Sequence, residues 1–208
     1  MIIENFCDIP YYHNSRLMSS DAKNNLKFLV ALANFQKFGP IRLKKIKKHF
    51  PSLENAFNAR IKELLAAGVE ENIANEFTAV RADINPNSLM ERLEKENVKA
   101  ITVEDNNYPK LLKEIYDPPQ LLYYKGTLKE EDEFSLAVVG SRKFSSYGKM
   151  AAEKIVADLA RNHLTIVSGL ALGIDALAHF AALNADGRTL AVLGSGLDKQ
   201  NIYPSANR

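Results

Sequence analysis

Three short apolar runs, Phe134 to Val139, Leu164 to Val167 and Thr189 to Leu193, each break into a glycine-containing turn, and helical segments separate them. No other feature limits the fold of this chain as much. Near-continuous apolar strands alternating with amphipathic helices make a parallel sheet covered on both faces, because right-handed crossovers return each strand in the same direction. In such a sheet every strand-to-helix turn falls on the carboxyl edge, where α/β folds keep their ligand sites. The turns begin at Gly140, Ser168 and Gly194, and all three are expected to face one crevice. The helix after the first turn is predicted over about 147–162, with Ala151, Ile155, Val156 and Leu159 against the sheet.

The backbone N–H groups at a helix N-terminus are unpaired and carry partial positive charge, and glycine lets an anion approach them closely. Three such turns on one edge form a phosphate-binding rim. In the first, Arg142 and Lys143 add full charges, and the planar guanidinium of Arg142 suits a phosphate or a guanine edge. Ser141, Ser145 and Ser146 are left to face the crevice. The formal net charge of the 208 residues is only +2, so any anion site must be local.

The turns do not match the common nucleotide fingerprints. A dinucleotide site needs G-x-G-x-x-G directly after a strand, and the nearest match, Gly194-Ser195-Gly196, has Lys199 where the third glycine belongs. The Walker phosphate loop is missing too. NAD and ATP chemistry are disfavoured and no cofactor is expected, whereas a mononucleotide stays open. Asp175 and His179, four apart on one helix, are the one pair that suggests catalysis. A nucleophilic triad needs a base within reach of its serine, oriented by a third group, and nothing in the spacing supplies that. Asp175 is expected to bond backbone amides at its helix start, and His179 to pack between helix and sheet. As metal ligands the two lack companions. No catalytic residue and no metal site are predicted.

The chain before these turns reads differently. Residues 1–20 lack periodicity and look like a loose lead-in, and helix follows with Asp21 as its cap. Leu26, Leu29, Val30, Leu32 and Ala33 form an apolar stripe. A turn at Phe35 to Ile41 opens a second helix through Phe50, with Leu43, Ile46 and Phe50 on one face and Arg42, Lys44, Lys45, Lys47 and Lys48 on the other. A solvated face and a phosphate-contacting face fit that basic run equally. Helix, glycine turn, helix resembles a helix-hairpin-helix motif, with Lys37 in place of the usual first glycine. A second hairpin follows, Ile61 to Ala67 and Ile73 to Val80, with Gly68 as the stop between them. After another helix to about Glu96, Val98 to Val103 and Leu121 to Lys125 read as strands, and a polar acidic loop, Lys129 to Glu133, leads to Phe134. The division is a helical module at 1–90 and an α/β domain at 97–208. One cysteine, Cys7, rules out an internal disulfide, and no apolar run approaches the roughly 18 residues of a membrane span. A soluble cytoplasmic protein, with no membrane partner, is expected.

Read in order, Val139-Gly140-Ser141-Arg142 with Tyr147-Gly148, then Ser168-Gly169-Leu170-Ala171 with Gly173-Ile174-Asp175 and Ala178-His179, then Ala191 to Asp198 with Tyr203-Pro204, resemble the DNA-processing protein A (DprA/Smf) family. Tyr108-Pro109, Asp117-Pro118-Pro119 and Tyr124-Lys125-Gly126 resemble its approach to the first turn. The resemblance implies an α/β fold, a Rossmann-like parallel sheet preceded by a small all-helical module like a sterile alpha motif (SAM-like). It implies a bacterial, non-enzymatic protein that binds and protects single-stranded DNA and helps load the RecA recombinase in natural transformation. In that family the glycine-serine-arginine turn lies in a basic pocket. Carried onto this sequence, the phosphate or pocket residues are Gly140, Ser141, Arg142, Lys143, Ser168, Gly169 and Gly173, with Arg142 foremost. Phe144, Tyr147 and Tyr203 are candidate base stackers, and each is equally a candidate core or turn aromatic. The family's sheet continues past the third motif and carries its dimer surface, so with the sequence ending at Arg208 the resemblance implies a truncated sheet with an exposed edge and leaves a homodimer in doubt. The alternative is a nucleotide-processing enzyme of the related phosphoribohydrolase (lysine-decarboxylase-like) Rossmann group, whose Pro-Gly-Gly-x-Gly-Thr signature is absent.

Overall fold

The computed structural model describes residues 19–198 and 200–205. Nearly all of the expected lead-in, with Cys7, lies outside the described residues. By compactness the chain forms two units, one of residues 19–108 and 112–122, the other of 109–111 and 123–205 among those described.

The first unit is built from six helices: α1 (Ser20–Asn34), α2 (Pro40–His49), α3 (Leu53–Asn58), α4 (Ile61–Ala66), α5 (Glu71–Val80) and α6 (Pro86–Lys95). Ser19, not Asp21, caps α1. Its hydroxyl accepts from the Ala22 amide at 3.2 Å, while Asp21 sits in the first turn, where a negative charge suits the helix dipole. The core is aromatic: Phe77 is fully buried, and its ring centroid lies 4.7 Å from that of Phe38 and 5.5 Å from that of Phe35. Gly68 ends the α4 hairpin at φ +81, as its position predicts.

On the basic face of α2, Arg42, Lys45 and Lys47 have partners, whereas Lys44 and Lys48 are exposed. Arg42 donates to Glu70 through Nε at 2.7 Å and Nη2 at 3.0 Å, Lys45 donates to the Gly68 carbonyl at 3.2 Å, and Lys47 pairs with Glu104. Lys37, in the preceding turn, pairs with Glu76 at 2.5 Å. Lys37, Arg42 and Lys45 thus join the first hairpin to the second, and Lys47 joins α2 to the turn after residue 102. The guanidinium holds the Glu70 carboxyl down to about 2.

Strands β1 (Lys99–Thr102) and β2 (Leu121–Tyr124) pair with each other, and a short helix α7 (Lys110–Lys113) lies between them in sequence. They form a two-stranded sheet of their own and are not hydrogen-bonded to the glycine-turn strands, although all five were expected in one α/β domain. The physical reason is that Leu121 packs against the aromatic core of the helices.

The second unit contains β3 (Ser135–Ala137), α8 (Ser146–Arg161), β4 (Thr165–Ser168), α9 (Ile174–Asn184) and β5 (Thr189–Ala191). The strands are parallel in the order β3-β4-β5, with Leu136 opposite Ile166 and Val167 opposite Leu190. Because strand order follows chain order, both crossover helices share one face, and they pack on each other and on β4. The two described helices therefore do not cover both faces, and within β3 Leu136 is 44% exposed. The α8 frame also differs from the predicted one. Val156 and Ala160 are core, whereas Ile155 faces solvent. Small residues, Ala178, Ala181 and Ala182, let α9 approach α8 closely.

The acidic stretch before β3 is not a plain loop. Glu130–Glu133 form a 3-10 turn, and Asp132 accepts from Arg188 through both Nε and Nη2, from the Thr165 hydroxyl at 3.3 Å and from the Lys129 amide at 2.9 Å. Burial pushes the Asp132 carboxyl up, but these bonds, Arg188 foremost, outweigh it and hold it below its ordinary value. The amino edge of the sheet is thus tied by an ion pair, and the carboxyl edge is left to the glycine turns.

Candidate functional site

The strand ends are stitched together just below the turns. The Val138 amide donates to the Val167 carbonyl and the Val192 amide to the Ser168 carbonyl, both at 2.8 Å. The Ser168 hydroxyl donates to the Val138 carbonyl at 2.6 Å and is buried, so it does not face the crevice as a phosphate ligand would. In the structure this hydroxyl gives cross-strand support.

The first and second turns interlock. The Ile174 amide donates to the Ser141 carbonyl at 3.2 Å. A Cβ on Gly140 would stand 2.7 Å from Ile174 Cγ1, and one on Gly173 would stand 2.3 Å from the Ser141 carbonyl oxygen and 2.5 Å from Arg142 Cα. Gly173 also sits at φ +94, which an L side chain disfavours. Neither glycine is an open cradle; each makes room for the other turn. Gly169 donates its amide to Asp175 Oδ2 at 3.1 Å, and the buried carboxylate thereby fixes the second turn across its own helix start. The role of Asp175 is structural, as expected, but the amide it holds is that of Gly169 in the preceding turn rather than one at its own helix start.

His179 is packed between α9 and the sheet, also as expected. Its Nδ1 lies 2.7 Å from Thr189 Oγ1, whose own proton goes to the Ile166 carbonyl at 2.8 Å. Because the threonine proton is spent there, His179 must donate from Nδ1, leaving Nε2 as a bare acceptor with no partner among the described residues. Burial pushes the imidazole pKa down, against a smaller upward pull from Asp175.

Over this rigid base stand the exposed groups. Ser141 Oγ donates to the Lys143 carbonyl at 2.6 Å and accepts from the Lys143 amide at 3.1 Å, which curls the turn on itself and uses the hydroxyl. Ser145 caps α8 by accepting from the Gly148 amide at 3.1 Å. Arg142 and Lys143 are exposed, and among the described residues neither side chain has a hydrogen bond or ion pair. Phe144 is 41% exposed, Tyr147 74% and Tyr203 70%, so none of the three is a core aromatic. At the third turn a Cβ built on Gly194 would meet nothing within 4 Å, so that glycine is not required by a close approach. The structure brings together Gly140, Ser141, Arg142, Lys143, Gly169 and Gly173. The contribution of Ile174 was missed, because a contact between turns more than thirty residues apart leaves no local periodicity.

Fold and site define a Rossmann-like protein with a basic, glycine-shaped turn at the carboxyl edge of a parallel sheet and a helical unit before it. The family model for DNA recombination-mediator protein A matches residues 99–208, and the chain belongs to this family. It is 38% identical over 192 residues to Protein Smf of Synechocystis sp., covering 90% of this chain and 48% of that protein. It is 43% identical over 149 residues to DNA processing protein DprA of Streptococcus pneumoniae, covering 67% of this chain and 52% of that one. The X-ray structure of the S. pneumoniae protein superposes with a TM-score of 0.67 at 33% identity, covering 88% of this chain and 62% of that one. The chain thus spans about half the length of these curated relatives. Among the described residues no helix is long and apolar enough to cross a membrane, and no group of three His, Cys, Asp or Glu is placed to hold a metal ion.

Proposed function

We propose that this chain binds single-stranded DNA at the first glycine turn, with Arg142 and Lys143 on phosphates and Phe144, Tyr147 and Tyr203 as stacking surfaces. The observation that carries this reading is the unpaired Arg142–Lys143 pair on a backbone fixed from behind. A basic groove that tracks the backbone, with aromatic faces beside it, holds single strands without much sequence preference. Family membership and the 43% identity to a DNA processing protein support it. The reading extends to the family role: protection of incoming DNA and loading of RecA during natural transformation, in the cytoplasm, with homodimerisation as a further expectation. The α/β part, 97–208, carries the strand, and the helical part, 1–90, is a SAM-like accessory module. A binding role without catalysis is supported by Asp175, whose carboxylate holds the Gly169 amide, and by His179, which is buried between helix and sheet with Nδ1 on Thr189.

The test is fluorescence anisotropy with a labelled single-stranded oligonucleotide across a salt series, with duplex as competitor. Binding should prefer the single strand and weaken steeply with salt, because phosphate contacts release counterions. Arg142→Ala should lower affinity about tenfold, the effect of losing a charge-assisted bond, and reduce the salt slope by about 0.7. Binding that ignores Arg142 would overturn this assignment of the pocket.

A further inference from the structure

We infer that Ile174 and Gly173 are positioning residues for Arg142: the second turn is a clasp that sets the backbone from which the first turn presents its cations. The inference rests on reading the first turn as the strand-binding element.

Four contacts make the clasp. The Ile174 amide holds the Ser141 carbonyl at 3.2 Å. The Ile174 side chain covers Gly140, with Cγ1, Cβ and Cγ2 at 2.7, 2.8 and 2.9 Å from where a Cβ would stand. Gly173 lies flat against the backbone of Ser141 and Arg142, with 2.5 Å between its would-be Cβ and Arg142 Cα. Asp175 then locks the clasp itself through the Gly169 amide at 3.1 Å. Arg142 therefore has an exposed side chain on a backbone that the second turn packs against. A long cation on a loose turn loses backbone as well as side-chain freedom when it meets a phosphate, whereas on a fixed turn only the side chain is ordered. Supporting residues that lock a binding group in place act on affinity without touching the ligand. Ile174 is not among the expected phosphate or pocket residues, and Gly173, which is, meets the backbone of Ser141 and Arg142.

The geometry makes a sharp demand on chemistry. All three Ile174 atoms over Gly140 are also present in valine, and none but Cβ is present in alanine. Ile174→Val should therefore keep the clasp and Ile174→Ala should open it. Single-strand affinity is measured by anisotropy across a salt series for both variants, alone and combined with Arg142→Ala, and amide hydrogen exchange is followed over residues 140–149 without DNA. Ile174→Ala is expected to weaken binding about threefold or more, to accelerate exchange in the first turn, and to add nothing in the Arg142→Ala background. Ile174→Val should bind and exchange like the parent. Gly173→Ala should reproduce the Ile174→Ala pattern if it folds; the inference does not depend on that variant. Losses that multiply in the double variant, or unchanged exchange in Ile174→Ala, overturn the clasp. If Arg142→Ala binds like the parent, the strand-binding reading fails instead, and the positioning role fails with it; accelerated exchange would then leave a purely structural contact.

Discussion

The two units handle charge in opposite ways. In the helical unit Lys37, Arg42, Lys45 and Lys47 each meet a carboxylate or a carbonyl of another element, and they hold two hairpins and a strand turn together. In the α/β unit the ion pair of Arg188 and Asp132 closes the amino edge, while Arg142 and Lys143 at the carboxyl edge are left without a partner among the described residues. A basic run in sequence is thus a poor guide to a binding surface. What matters is whether the fold has already supplied the counter-charge. Hydrophobic packing differs in parallel: rings fill the helical core, whereas alanines line the α8–α9 contact.

The sharpest way to separate the units is to damage one core. Phe77 touches the rings of Phe35, Phe38 and Phe57 and has no exposure, so Phe77→Ala should cost about 3–5 kcal/mol of stability. Denaturant unfolding would read the loss as a lower midpoint, with exchange accelerated across α1 and α5. Single-strand affinity of the molecules still folded should stay within twofold of the parent. A tenfold drop in that affinity would break the comparison, because it would make the helical core part of the binding element.

How far the sequence could be read follows the same line between local and distant signals. Strand, glycine turn and helix recur within short windows, so the parallel sheet, the hairpin stop at Gly68 and the structural roles of Asp175 and His179 were all legible. Helix α3 was not, since six residues give too little periodicity to stand out. Ile155 was placed in the core and Ala160 was not, a shift that an apolar pattern on both sides of α8 does not resolve. The pairing of β1 with β2 depends on where Leu121 packs, and the withdrawal of Ser168 from the crevice depends on a carbonyl thirty residues away. The candidate site was therefore readable as a list of exposed cations on a turn. The device that fixes the turn was not.

A smaller effect sharpens the contrast between paired and unpaired cations. Arg42 and Arg142 have the same side chain, but Arg42 is spent on Glu70 and on the Lys37 carbonyl at 2.9 Å. Arg42→Ala is expected to leave single-strand affinity within twofold and the salt slope unchanged, against the roughly tenfold loss predicted for Arg142→Ala. Equal losses would show that the hairpin contributes to the binding surface after all, and would reopen the helix-hairpin-helix reading of Phe35 to Ile41.

The smallest expected effect is one of pH, and it turns on where each unit keeps its titratable group. In the helical unit the Glu70 carboxyl is held down to about 2 by Arg42, so that pair persists until strongly acid conditions. In the α/β unit His179 is buried with Nε2 unpartnered among the described residues, and burial depresses its folded pKa below the ordinary 6.5. As pH falls below about 6.5, the unfolded chain gains a proton there that the folded chain refuses. The stability that His179 provides is present above that pH and is lost as pH falls toward the folded value, with a slope of at most one proton. Hydrogen exchange should accordingly speed up in α9 and β5 before it does in α2 and α5. His179→Asn keeps a donor near the position of Nδ1 for Thr189 but cannot titrate, so it should remove the acid sensitivity of α9 and β5 in this window. If α2 and α5 loosen first, or if His179→Asn responds to acid as the parent does, the buried imidazole is not what sets the pH response of the α/β unit.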